Sequence, residues 1–153
     1  MRKKLLHLSN KVLSALLVSM GFASCEDIIK SEDEYGTPTV DYHIVGKVTG
    51  PEGNPIKGIR VTARGFYDFN GRTQLQTFTD DEGKFATESI RDTWIDDGLR
   101  VVFEDVDGDD NGGKFAKDSL FSHELQSKLI EKGSGWFKGK YELTAEKQLR
   151  KEE

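Results

Sequence analysis

Tyr42-His43-Ile44-Val45-Gly46-Lys47-Val48-Thr49, followed at once by Gly50-Pro51-Glu52-Gly53-Asn54-Pro55, decides the fold of this chain. Tyr42, Ile44, Gly46 and Val48 fall on one face of a period-two pattern. His43, Val45, Lys47 and Thr49 fall on the other, which is the signature of a half-buried strand. The Pro-Gly-Asn-Pro cluster that follows reverses the chain. The same alternation then returns, with Ile59, Val61 and Ala63 set against Arg60, Thr62 and Arg64. Tyr67 to Arg72 contains Asn70-Gly71, a turn signal ahead of a third strand from Thr73 to Thr79. Asp80-Asp81-Glu82-Gly83 makes the next turn, Phe85 begins a fourth strand, and Leu99, Val101 and Phe103 alternate with Arg100, Val102 and Glu104 in a fifth. Turn signals at this spacing predict an all-β chain folded as an antiparallel β-sandwich.

Past the fifth strand the pattern is less regular. Leu120, Phe121, Leu125 and Leu129 sit near helical spacing within Lys117 to Lys132, so a surface helix with an apolar stripe competes with a further strand. Gly133 and Gly135 mark a turn, and Trp136, Phe137, Tyr141 and Leu143 open a final strand whose aromatics are expected to fill core. Lys147 to Glu153 reads as a frayed charged tail.

Composition bounds the rest. Of 153 residues, 22 are Lys or Arg and 27 Asp or Glu, for a net charge of −5. Such a balance argues against a nucleic-acid surface, which needs clustered cations. Nine Phe, four Tyr and two Trp argue against wholesale disorder. A single Cys excludes an internal disulfide and any multi-thiolate zinc site.

The charge is unevenly placed. Met1 to Ser24 holds Arg2, Lys3, Lys4 and Lys11 and no acid, while the remainder carries 18 bases against 27 acids. The basic start leads into an apolar run from Val12 to Ala23. As a helix those residues span about 18 Å, short of the roughly 30 Å hydrocarbon core, so a stable transmembrane helix is disfavoured. A basic segment and a short apolar run make the pattern of a secretory signal peptide, residues 1–24. It ends Gly21-Phe22-Ala23-Ser24-Cys25, and small residues before a lone cysteine resemble the lipobox of bacterial lipoproteins, with Phe22 where Leu is usual. That resemblance implies a lipidated Cys25 as the new N-terminus. The alternative is an ordinary signal peptide cut near Ala23, leaving an odd free thiol. Residues 25–40 then form an acidic tether, with Glu26, Asp27, Glu32, Asp33 and Glu34 around only Ile28 and Ile29 as apolar residues in its first half. Acids directly after the cysteine also resemble a signal that carries some lipoproteins to the outer face of the outer membrane.

Two further resemblances involve the folded part. Gly46-Lys47-Val48, Gly53-Asn54-Pro55-Ile56, Gly58-Ile59-Arg60-Val61 and Thr79-Asp80-Asp81-Glu82-Gly83-Lys84-Phe85 together resemble the carboxypeptidase regulatory-like domain. This implies a transthyretin-like β-sandwich over residues 41–146 with no catalytic residues. The leader, Glu34-Tyr35-Gly36-Thr37-Pro38, the first strand, Asp105-Val106-Asp107-Gly108 and Asn111-Gly112-Gly113 are similar to lipoproteins described as radical-SAM-associated. The likeness implies a radical-SAM protein as partner. One Cys cannot supply the three thiolates of a radical-SAM cluster, so this chain would be companion or substrate rather than catalyst.

The stretch richest in chemistry is Asp105-Val106-Asp107-Gly108-Asp109-Asp110-Asn111-Gly112-Gly113. Calcium takes six to eight oxygen ligands, and Asp107, Asp109, Asn111 and Asp118 stand at positions one, three, five and twelve of an EF-hand-like spacing. Asp105 lies just upstream as a further carboxylate. Asp replaces the usual Glu at the twelfth position, and a strand precedes the loop in place of a helix. The same residues also make an ordinary solvated hairpin loop. Catalytic patterns are weak: His43 and His123 are too few for a three-His zinc site, and Gly133-Ser134-Gly135 lacks the spacing of a nucleophile elbow. The expectation is a non-catalytic, lipid-anchored envelope protein, monomeric, serving as an interaction module. The alternative is a calcium-dependent binding module for a glycan or protein at the cell surface.

Overall fold

A computed structural model of the chain describes residues 36–95 and 97–152. The signal segment, Cys25 and most of the acidic tether lie outside the described residues. The strands are β1 (Thr39–Thr49), β2 (Arg60–Arg64), β3 (Gln74–Phe78), β4 (Lys84–Ala86), β5 (Ile90–Asp92), β6 (Arg100–Glu104), β7 (Asp118–Phe121), β8 (Gln126–Ser134) and β9 (Phe137–Gln148). No helix among the described residues is long and apolar enough to cross a membrane.

The strands form two sheets, ordered β4-β1-β9-β8 and β3-β2-β6-β7, with β5 pairing beside β4 on the free side of β1. The chain is thus an all-β sandwich. Alternation along each strand places Tyr42, Ile44 and Val48 of β1 in the core, facing Val61 and Ala63 of β2 and Val101 and Phe103 of β6. Each fully buried side chain of this size contributes about 1.5–3 kcal/mol. Phe85 and Phe103 meet edge to face, ring centres 5.9 Å apart and planes at 71°.

Every ladder is antiparallel but one. β1 and β9 run parallel, in one register from Asp41 opposite Lys140 to Thr49 opposite Gln148, after a shift that leaves Thr39 opposite Phe137. Local alternation cannot reveal this, because a strand's period is the same whichever way its partner runs. Gly46 stands opposite Ala145, where the pairing leaves no room for a side chain. A Cβ there would stand 1.8 Å from the carbonyl oxygen of Ala145 and 2.8 Å from the Phe85 ring.

Three expectations need correction. The sandwich begins at Thr39 rather than residue 41, and it does not stop at 146. The charged tail is not frayed: β9 runs to Gln148, Leu149 is 1% exposed, and its amide donates to Thr49 O at 2.8 Å. Lys151 bridges to Phe115, and Lys114 pairs with Glu152 at 2.7 Å. Leu149 is the apolar residue that ties this segment down, although four charged residues follow it. The third correction concerns Trp136, which is 38% exposed at the tip of the β8–β9 hairpin rather than buried in the core.

Lys117 to Lys132 resolves as β7, a short 3-10 turn at Ser122–Glu124, and most of β8. Every residue of β8 is exposed, so it forms a bare sheet edge. That edge is blunted by a register shift between Leu129 and Glu131 and by Lys128 and Lys132, features that discourage pairing with another chain.

Leu149→Ala should destabilise the domain by about 2–5 kcal/mol, read from urea unfolding of the wild type and variant. Equal midpoints would mean that the C-terminal segment adds nothing to the fold.

Candidate functional site

The two ends of the sandwich differ in chemistry. At one end lie the Pro51–Pro55 turn, the Asp80–Gly83 turn and the acidic loop after β6. The loop turns through four positive-φ residues, Gly108 (φ 73°), Asn111 (φ 52°), Gly112 (φ 105°) and Gly113 (φ 97°). Asparagine and glycine tolerate that region better than other residues.

Hydrogen bonds within the loop consume several of its carboxylates. Asp105 accepts the Phe115 amide at 2.8 Å and the Asp107 amide at 3.3 Å. Burial raises its pKa above the ordinary aspartate range, and the adjacent Asp107 adds to the rise, against the pull of the Phe115 amide. Asp107 accepts a hydrogen bond from the Asn111 side-chain amide. Asp109 is exposed and caps another short 3-10 turn, Asp110–Gly112, without a side-chain hydrogen bond. Asp118 is occupied elsewhere, on β7. Its Oδ2 meets Lys147 Nζ at 2.7 Å and its Oδ1 accepts the Ser119 amide at 2.7 Å. Burial works to raise Asp118, but Lys147 and the Ser119 amide outweigh it and hold the carboxyl below its ordinary range. The loop therefore brings Asp105, Asp107 and Asn111 into one hydrogen-bonded turn, while Asp118 is bound to Lys147. Among the described residues no group of three or more His, Cys, Asp or Glu stands ready to hold a metal ion.

The outward face of the second sheet carries a different arrangement. Arg60, Glu104 and Lys117 form a charge-alternating row, and both cations lower the Glu104 pKa. Arg64 stands opposite Arg100 in the β2–β6 register, a like-charged pair. Arg100 is spread over the Phe121 ring, 5.0 Å from its centre, and hydrogen-bonds Ser119 Oγ at 2.8 Å. His123 stacks on the same Phe121 ring, centres 5.9 Å apart, while His43 faces Glu142 at 3.4 Å on the first sheet.

At the opposite end is a network that the sequence pattern did not single out. Asp68 and Asp92 are 6% and 3% exposed. Asp68 accepts from the Asn70 amide at 3.0 Å and from Arg72 Nε, whose other nitrogens reach Glu88 at 2.7 Å and Ser89 O at 2.8 Å. Asp92 accepts the Tyr67 amide at 2.9 Å and the Thr93 amide at 2.6 Å. Arg91 forks onto Asp41 with two 2.6 Å bonds, and its carbonyl takes the Phe69 amide at 3.0 Å. These bonds pin the loop between β2 and β3 onto β5. The only available signal was Asp68-Phe69-Asn70-Gly71-Arg72, whose acid and base are four apart around a turn. Held on this base, Tyr67, Phe69 and Trp94 project outward at 81%, 55% and 67% exposure. Beside them an open, mostly apolar groove of about 640 Å³ is lined by Val40, Trp94, Ile95, Lys138 and Tyr141.

No family model matches the chain. No curated protein matches either. Among solved structures it is similar to 3-chlorocatechol 1,2-dioxygenase from Rhodococcus opacus 1CP, at 15% identity and TM-score 0.47 over 78% of this chain and 62% of that one. It is also similar to the dioxygenase domain of a dioxygenase carbohydrate-binding protein fusion from Streptomyces sp. SirexAA-E, at 16% identity and TM-score 0.46 over 77% and 84%. Catechol 1,2-dioxygenase from Pseudomonas arvilla C-1 gives 12% and 0.48 over 78% and 55%. The chain thus spans less than two thirds of the first of these enzymes. Likenesses at these values carry no argument about what this chain does.

Two outcomes follow from the geometry. Burial works to raise the Asp68 pKa, but the Asn70 amide and Arg72 outweigh it and hold the carboxyl below its ordinary value of 3.8. A lowered pKa stabilises the folded state above the unfolded value, and that gain fades as pH falls through the folded value. Asp68→Asn should therefore cost about 1.5–3 kcal/mol at neutral pH, with the gap to wild type closing below about pH 4; urea titrations across that range measure it. With Asp118 held by Lys147, calcium and chelator should give the same melting temperature in a thermal scan. A calcium-induced rise would mean that the loop rearranges to collect its ligands.

Proposed function

We propose that the chain is a non-catalytic cell-envelope lipoprotein, anchored through Cys25 and serving as an interaction module for a protein partner. The observation that carries the reading is the order of segments. A basic, apolar leader ends in the chain's single cysteine, an acidic tether follows, and a β-sandwich with its own closed core begins at Thr39. Two or more acyl chains hold a protein at a membrane far more firmly than one, because each buried methylene adds about 0.8 kcal/mol. The acids after Cys25 favour the outer membrane, with the domain exposed at the cell surface. The motifs shared with radical-SAM-associated lipoproteins make a radical-SAM protein the proposed partner, with this chain as companion or substrate. The blunted β8 edge favours a monomer. Calcium-dependent binding of a glycan or protein is the weaker reading, because Asp118 is engaged by Lys147.

Mass spectrometry of the N-terminal peptide should find a diacylglyceryl-type addition on Cys25 and a cleaved leader, both lost in Cys25→Ala. An unmodified Cys25 in membrane-free protein would contradict the anchor. Where an adjacent gene encodes a radical-SAM enzyme, protein made together with it should either co-purify with that enzyme or carry a mass change absent without it; adjacent genes that encode none would contradict the partner.

A further inference from the structure

The exposed aromatics are segregated along the sandwich. Among the described residues, Tyr67, Phe69, Phe78, Trp94, Phe121 and Trp136 are the large exposed aromatics. All but Phe78 lie at one end. β2 finishes at Arg64 just before Tyr67, β5 at Asp92 just before Trp94, β7 at Phe121, and the β8–β9 turn holds Trp136. The hydrogen bonds from Tyr67 and Phe69 to β5, and from the Thr39 amide to Trp136 O at 2.9 Å, join these turns to the start of β1. This is the end at which the chain arriving from Cys25 enters the fold. The far end carries the charged turns and the acidic loop instead.

We propose that this aromatic end is a membrane-docking surface, seated in the headgroup layer of the bilayer that holds the anchor. The inference rests on the lipoprotein reading above, since it takes the bilayer at Cys25 as its occupant. Thirteen residues lie between Cys25 and Thr39, a span of at most about 50 Å, so the domain is tethered within reach of that surface, and the tether joins it at this end. Trp and Tyr favour the interface, where an apolar ring can be buried while its polar edge stays wet. Three acids at this end are engaged within the fold: Asp41 pairs with Arg91, Asp68 pairs with Arg72, and Asp92 accepts backbone amides. Asp97 is exposed at this end, and Lys138 stands in the lining of the apolar groove. Docking is accordingly driven by ring burial, and salt has little effect on it. The buried Asp68 and Asp92 hold the loops firm, so the rings are presented without a large ordering cost.

Both tryptophans of the chain, Trp94 and Trp136, lie at this end, so intrinsic fluorescence reads the contact directly. The full lipidated chain is placed on phosphatidylcholine vesicles containing brominated lipid, with vesicle flotation as a separate measure of anchoring. Emission should shift to the blue and be quenched by bromine near the headgroup. Trp94→Phe should remove the larger part of the quenching, because Trp136 is partly covered by Gly36. Tyr67→Ser with Phe69→Ser should weaken quenching while flotation and far-UV circular dichroism stay unchanged. A chain that floats with vesicles yet keeps unshifted, unquenched emission overturns the docking surface and leaves the anchor intact. If Cys25 proves unmodified, vesicle binding that is lost with Tyr67→Ser and Phe69→Ser supports the surface by itself, and no vesicle binding overturns it. An emission change with soluble polysaccharide but none with vesicles also overturns it, in favour of a glycan site.

Discussion

The parallel pairing of β1 with β9 is the constraint on which the rest of the sandwich depends. It joins the first strand to the last across ten paired positions and places β1 inside its sheet, with β4 and β5 on its other side. The strands can lie this close because residue 46 has no side chain to push against Ala145. Leu143 and Ala145 then complete the wall opposite Val61 and Phe103. Since the partners are about a hundred residues apart, closing the core must await the end of the chain, and non-local pairing of this kind slows folding.

Closing the two sheets with both termini of β1 fixed also sorts the loops. Turns leaving the Val48 end of β1 are short, charged and glycine-rich, and they form the end that holds the acidic loop. Turns at the Thr39 end are anchored by Asp68 and Asp92, carboxylates buried under the backbone they bind. Burying them is tolerable because amides and Arg72 satisfy their oxygens. The result is a domain whose polar and aromatic surfaces are displayed in opposite directions. On the proposed reading the aromatic end meets lipid and the charged end is left free for a partner.

Alternation made much of this legible. Tyr42, Ile44 and Val48, then Ile59, Val61 and Ala63, then Leu99, Val101 and Phe103 are core residues as their spacing predicts. The turns at residues 51–55 and 80–83 also fall where Pro, Asn and Gly mark them. β5 was not visible, because three residues cannot display a period, and Ile90 is its only apolar member. The β1–β9 direction is a property of the whole chain and leaves no local mark. The charges around it hide Leu149, and an aromatic at a strand start, such as Trp136, reads the same in core or at a hairpin tip. In the acidic loop, the sequence identified the turn formers correctly. It could not show that Asp118, twelfth in the spacing, would meet Lys147 on β9 of the other sheet.

The most direct test of this account is the unfolding free energy of Gly46→Ala, measured in urea beside the wild type. A single methyl group here collides with backbone rather than with a movable side chain, so β1 and β9 must part. The variant should lose about 1–3 kcal/mol or more, or fail to fold. Unfolding at the wild-type midpoint would contradict the claim that the close β1–β9 pairing holds the sandwich together.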